Sequence, residues 1–205
     1  MVSSFKIQVS GLAESAESAE ITEVVSSKDM DINVKKQAFE YWLTQMLKWG
    51  REMTPKVSFY SFTRLKALKL LFFTAAVKNE SGGDLLDIFD NFYALPNGPV
   101  ESDIYNCITT DDLTFYTFRN FSFGAKEQFV DNGLDQEIKQ RIDYSISELR
   151  KKNENIVAYN AEILVAISHT WLSWQNAIQI ARALGKGSYK MDVKLIRGNV
   201  QTFVL

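Results

Sequence analysis

Leu134, Ile138, Ile142, Ile146 and Leu149 follow one another at intervals of three or four residues. Side chains so spaced fall on one side of the chain only if it is an α-helix, and a helix with such a stripe needs a core to cover it. The spacing predicts a helix over about Leu134–Lys152. Asp131 or Asn132 is placed near its cap, and Arg150, Lys151 and Lys152 sit where the helix dipole favours cations. A second stripe, Val34, Ala38, Trp42, Met46 and Trp49, predicts a helix over about Asn33–Trp49, capped by Asp31 or Asn33 and stopped by Gly50. A third helix is expected over about Ser61–Lys78, with Ser61 as its cap and Gly82-Gly83 ending the segment. Leu65, Leu68, Leu71, Phe72, Ala75 and Ala76 give it the wide apolar face of a central helix, which Arg64, Lys66 and Lys69 interrupt at its start.

Between and after these helices the pattern is shorter. Ile88–Ala94 reads as a short strand, and Leu95-Pro96-Asn97-Gly98-Pro99-Val100 must then turn sharply. Pro99 suits the first position of a helix that would carry Val100, Ile104, Cys107 and Ile108 on one side. The aromatic-rich stretch Thr114–Phe123 reads as a second strand. Helices over about Ala158–Ile167 and Ser173–Leu184 are separated by Ser168-His169-Thr170, and Gly185 stops the second. Met191–Ile196 reads as a short helix and Gln201–Leu205 as a short strand. The expected fold class is mainly α: a compact bundle of about five to six helices with a small antiparallel β element, or α+β if the sheet is counted. Residues 1–30 read as an extension, because Gly11–Glu20 is rich in Ala, Ser and Glu and only Phe5–Val9 has strand character. No repeat or linker divides the remainder, so 31–205 is expected to form a single helical domain.

With 46% apolar and 13% aromatic residues, that length suffices for a packed core. The formal charge of −2 offers no broad positive surface of the kind nucleic-acid binding shows, and fits a protein partner better. Cys107 is the sole cysteine, which excludes an intramolecular disulfide and fits a reducing compartment. No apolar signal segment opens the chain, and Leu68–Val77, interrupted by Lys69, falls far short of the roughly 20 residues of a membrane span. The expected localisation is cytoplasmic.

The residues of common catalytic sites are scarce. His169 is the only histidine, and a general base needs a nucleophile and an orienting carboxylate. One His and one Cys are a poor basis for zinc. Gly185-Lys186-Gly187-Ser188 follows a helix instead of preceding one, so it reads as a helix stop and not a phosphate loop. Asp111-Asp112, Asp84 and Asp87 read as solvated loop carboxylates. Phe115–Phe123, with Arg119 inside it, suits a sheet packed on helices better than a platform for bases. No enzymatic activity, cofactor or metal is expected.

Two stretches go beyond generic pattern. One is Leu68-Lys69-Leu70-Leu71-Phe72-Phe73, followed by Phe92-Tyr93-Ala94-Leu95-Pro96-Asn97-Gly98-Pro99-Val100 and Ile104-Tyr105. The other is Leu164-Val165-Ala166-Ile167-Ser168-His169 with Trp174-Gln175-Asn176-Ala177. In this order, over roughly residues 35–185, they resemble the Panacea domain, the SocA-like antitoxin domain. That family reads as a Lys-Leu-x-Lys-Leu-Leu-Tyr-Phe helix, an Ala-x-x-x-Gly-Pro-Val turn with a following Tyr, a Leu-x-x-Leu-Ser/Thr-His segment and a Trp-x-x-Ala helix start. The chain departs from it at Ala67 and at Asn97, where the family often has an aromatic.

The resemblance implies the antitoxin of a toxin–antitoxin system, which neutralises by direct binding a cognate protein toxin encoded by an adjacent gene. An adaptor that delivers its partner to an unfoldase–protease is the alternative, as SocA does. Surfaces for a partner need aromatic or Arg-rich centres. The candidates are Asn97, Gly98, Pro99 and Tyr105 at the turn, Phe115, Tyr116, Phe118 and Arg119 in the aromatic run, and His169, Trp171 and Trp174 at the helix junction. Each also has a purely structural reading: Gly98 for a positive φ, Pro99 for helix initiation, His169 for packing at a helix junction, and the tryptophans for the core.

Overall fold

Helix α2 (Arg64–Ala76) is the axis around which the chain is built. Every residue from Lys66 to Ala76 is buried, so the apolar face expected from the sequence extends around the whole helix, the mark of an element covered on all sides. The computed structural model describes residues 30–54, 62–77, 84–119 and 122–198. Residues 1–29, Ser61, Gly82-Gly83 and Gln201–Leu205 lie outside the described residues. Thr63 caps α2, its hydroxyl accepting from the Lys66 amide, so the helix begins three residues after the expected start.

On one side of α2 lies α1 (Ile32–Met53). Asp31 caps it, accepting from the Asn33 amide, but Gly50 does not stop it; it ends at Thr54, whose amide donates to the Gly50 carbonyl. A glycine inside a helix costs only about 1 kcal/mol, which packing overrides. The buried face is also wider than the expected stripe, taking in Lys35, Phe39, Glu40, Leu43 and Leu47. Trp42 donates from Nε1 to the Thr74 hydroxyl at 3.1 Å, tying α1 to α2. Helix α4 (Gln136–Lys152) packs on α1 through Ile142, Ser145, Ile146 and Leu149, and the Tyr41 hydroxyl donates to Asp143 at 2.8 Å. Its cap is Asp135, which accepts from the Glu137 and Ile138 amides, and not Asp131 or Asn132. Those two residues close the turn before it instead.

Among the described residues the β structure is two small antiparallel sheets. In the first, β1 (Phe92–Leu95) pairs with β2 (Gly98–Glu101) and, on its other edge, with β5 (Tyr189–Lys190). The expected strand over Ile88–Ala94 is thus shorter and begins at Phe92. Pro99 is not the first residue of a helix. It lies in β2, at the sheet edge, where a missing N–H leaves no ladder acceptor empty. Helix α3 (Ser102–Thr109) starts only after Glu101, whose carboxylate accepts from the Ile104 amide at 2.8 Å and caps it. The expected single strand over Thr114–Phe123 is a hairpin, β3 (Tyr116–Arg119) and β4 (Ser122–Ala125). The Glu40 carboxylate of α1 anchors its base, accepting from the Phe115 amide at 2.7 Å.

A 3₁₀ turn at Ile156–Ala158 leads from α4 to α5 (Ala161–Ser168), α6 (Leu172–Ala183) and, after β5, α7 (Val193–Gly198). Gly185, at φ +64°, ends the turn that follows α6. Trp171, just before α6, meets Phe72 edge-on at 5.3 Å, and Phe72 meets Phe92 of β1 at 5.4 Å, so one aromatic column joins α2, α6 and the sheet. The architecture is mainly α with a small antiparallel β component, as expected. No helix among the described residues is long and apolar enough to cross a membrane.

Candidate functional site

Gly98 opens β2 at φ +92°, a conformation that L side chains rarely adopt. The hairpin needs it there, because Pro96-Asn97 closes the turn between the Leu95–Gly98 pair. Space demands it as well. A Cβ on Gly98 would overlap the Ser168 hydroxyl and lie 3.1 Å from both Cε and Nζ of Lys69. Three segments far apart in sequence therefore meet at one Cα: the middle of α2, the turn into β2 and the end of α5.

Lys69 is fully buried, and its Nζ donates to the Pro99 carbonyl at 2.5 Å. No carboxylate pairs with it among the described residues, and burial lowers its pKa to about 7. Ser168 is also fully buried, its hydroxyl turned back onto the Val165 carbonyl at 2.8 Å. His169, the C-cap of α5, stacks flat on Trp174, with ring centroids 3.9 Å apart and an interplanar angle of 9°. Trp174 in turn donates from Nε1 to the Leu95 carbonyl at 3.0 Å. Burial, and then the Lys69 charge, hold the imidazole below its usual pKa against a hydrogen bond to the Pro96 backbone. His169 is therefore neutral at physiological pH, and its Nε2 has no partner among the described residues. Gln175 holds the junction by donating to the His169 carbonyl.

The sequence candidates thus fall into two groups. Gly98, Pro99, His169 and Trp174 form one constellation, with Trp171 behind it in the aromatic column. Asn97 stands exposed at the turn, and Tyr105 is half-buried under the Arg64 guanidinium, 5.2 Å from its ring. Phe115, Tyr116, Phe118 and Arg119 belong to the other hairpin, packed on α1. Phe115 and Tyr116 are buried, the Tyr116 hydroxyl lies 2.7 Å from that of Thr44, Phe118 is half-buried and Arg119 is exposed. Solvent-facing apolar area lies elsewhere. Ile163 of α5, Leu172 and Ile180 of α6, and Leu184 at the C-cap of α6 are each roughly half exposed.

Sequence reasoning missed a second constellation. The Lys35 ammonium, nearly fully buried in α1, meets Asp90 at 2.8 Å, Glu101 at 3.1 Å and Asp103 at 2.6 Å. Although burial opposes its charge, Glu101, Asp103 and Asp90 together push the Lys35 pKa up. These carboxylates are close enough together to share a metal ion, but the ammonium already stands among them. Glu101 is simultaneously the α3 cap, and Asn91 donates from its side chain to Asp103 at 2.9 Å. The only sequence signal was position: Lys35 stands one turn before Phe39 on the face that α1 buries. No family model, no curated protein and no solved structure matches this chain.

Proposed function

We propose that this protein is an antitoxin that neutralises a cognate protein toxin by direct binding. The observation that carries the reading is the meeting of Lys69, Gly98-Pro99 and Ser168-His169 at one point. These residues come from the segments whose order resembles the Panacea domain, and a shared motif that holds a fold together must converge in space. The constellation supports the scaffold: Lys69, Ser168 and Trp174 brace the β1–β2 turn, and their burial leaves them little surface to offer a partner. Contact with a toxin falls instead to exposed groups. Leu172 and Ile180 of α6 and Leu184 at its C-cap provide exposed aliphatic area, and apolar area of this kind, rimmed by polar residues, suits a protein partner.

The test is co-expression with the toxic product of an adjacent gene. Growth is expected to recover with the wild-type chain and to remain arrested with Leu172→Glu/Ile180→Glu, provided that variant melts like wild type. Failure of the wild-type chain to restore growth or to co-purify with the toxin would refute the reading.

A further inference from the structure

From Ile163 to Met191 the chain contains no Asp or Glu, although 25 of its residues are acidic and its formal charge is −2. That stretch holds α6 and the segment leading from it into β5, and it carries Arg182, Lys186 and Lys190. All three cations are exposed, and none pairs with a carboxylate among the described residues. Elsewhere Lys36, Lys139, Arg141 and Arg150 each meet one. The uncompensated charge is felt within the fold: after burial and Lys69, Arg182 also disfavours the protonated form of His169.

The outer side of the same helix is uncovered. Leu172, Asn176 and Ile180 of α6 and Leu184 at its C-cap follow one another at four-residue intervals, and all are exposed. Side chains so spaced form one oblique ridge, the kind that interdigitates with the ridges of a second helix. The inner side, with Trp174, Ala177, Ile178 and Ala181, is buried in the core. The helix has 12 residues, about 18 Å of length, enough to seat about three turns of a partner helix. Arg182 stands in the last turn of α6. Lys186 follows the turn that Gly185 makes at φ +64°, and Lys190 lies on β5, which packs against α6. The helix dipole favours cations at a C-terminal end, but it has no bearing on Lys190 or on the lack of acid from Ile163 to Met191. An apolar ridge with charge around it has the anatomy of an interface, and here the surrounding charge has one sign.

We propose that α6 seats an acidic amphipathic helix of the partner, whose aliphatic residues pack on the Leu172–Leu184 ridge while its carboxylates face Arg182, Lys186 and Lys190. From the reading of the protein as an antitoxin the proposal takes only the identity of that partner. Charges at the rim of an interface act chiefly on the rate of encounter and are screened by salt. Apolar groups at its centre act on the lifetime of the complex.

Two probes test this. The first is a synthetic helix with leucines four residues apart and glutamates beside them, titrated into the isotope-labelled full chain. Saturable movement of the α6 amide resonances is expected, and the same peptide with lysine for every glutamate should bind at least about tenfold more weakly. The second is the toxic product of the adjacent gene, immobilised and read for association and dissociation rates. Arg182→Glu/Lys186→Glu should slow association about tenfold at low salt, leave dissociation nearly unchanged, and match wild type at high salt. Leu172→Glu/Ile180→Glu should speed dissociation instead. If the toxin binds but the charge variant associates like wild type at low salt, the acidic helix is overturned and the antitoxin reading stands. If the toxin does not bind while the acidic peptide moves the α6 resonances, the antitoxin reading falls and the acidic helix stands. A peptide that binds no better with glutamate than with lysine overturns the proposal.

Discussion

Gly98 is the residue with the least freedom to change. Alanine there meets two obstacles: the left-handed backbone costs an L-residue about 1–2 kcal/mol, and its Cβ collides with the Ser168 hydroxyl. Gly98→Ala is expected to lower unfolding free energy by at least about 2 kcal/mol, as read from urea denaturation. Gly98→Ala combined with Ser168→Ala should recover the collision part and leave the backbone part. Lys69 makes a different prediction. Its pKa is about 7 in the folded chain against 10.5 for the free side chain, so between these values the unfolded chain binds more protons. Stability should therefore rise with pH across that window and be lowest below it. Lys66 and His169 are shifted in the same direction. Lys69→Met is expected to flatten, not abolish, the rise in thermal midpoint between pH 7 and 10; an unchanged slope would show that the amine is hydrated in the folded state.

At the scale of elements, the Lys35 cluster joins α1 to β2, α3 and the turn before β1. Removing one partner of a buried ion group leaves the others uncompensated, so Lys35→Met is expected to destabilise by about 3–5 kcal/mol. Chemical denaturation at neutral pH measures this, and lowering the pH to protonate the carboxylates should narrow the gap from wild type. Helix positions were legible because burial repeats with the helical period, and α1, α2, α4, α5 and α6 all lie where their stripes or boundaries pointed. Element ends were less legible. Gly50 and Pro99 have strong local preferences, yet α1 runs through the first and a strand contains the second. In both cases packing outweighs a preference of order 1 kcal/mol. Thr114–Phe123 concealed a hairpin because its aromatic residues raise strand propensity throughout, and propensity does not mark where a strand reverses.

For the whole molecule, a central helix with no exposed side from Lys66 to Ala76 organises everything else. Function, on the proposed reading, is left to the periphery, where Leu172, Ile180 and Leu184 offer aliphatic surface to a protein. Leu172→Glu/Ile180→Glu should abolish rescue from a toxin while leaving the thermal midpoint unchanged, because both side chains already face solvent. A fall in the midpoint that parallels the loss of rescue would show that these residues support the fold instead of a partner.

Sequence by itself determined the class of fold, the helices and the residues whose order resembles one family. It could do so because helical periodicity and turn chemistry are local properties, carried by neighbours on the chain. Only the tertiary structure decided what those residues do. Lys69 and Pro99 are bonded across 30 positions, Lys35 and Asp103 across 68, and Trp174 and Leu95 across 79, and no local pattern encodes such pairs. Packing alone turned the Gly98 segment into a braced scaffold and gave Lys35 and Lys69 their partners. The same packing set the Lys66 ammonium over the face of Phe62.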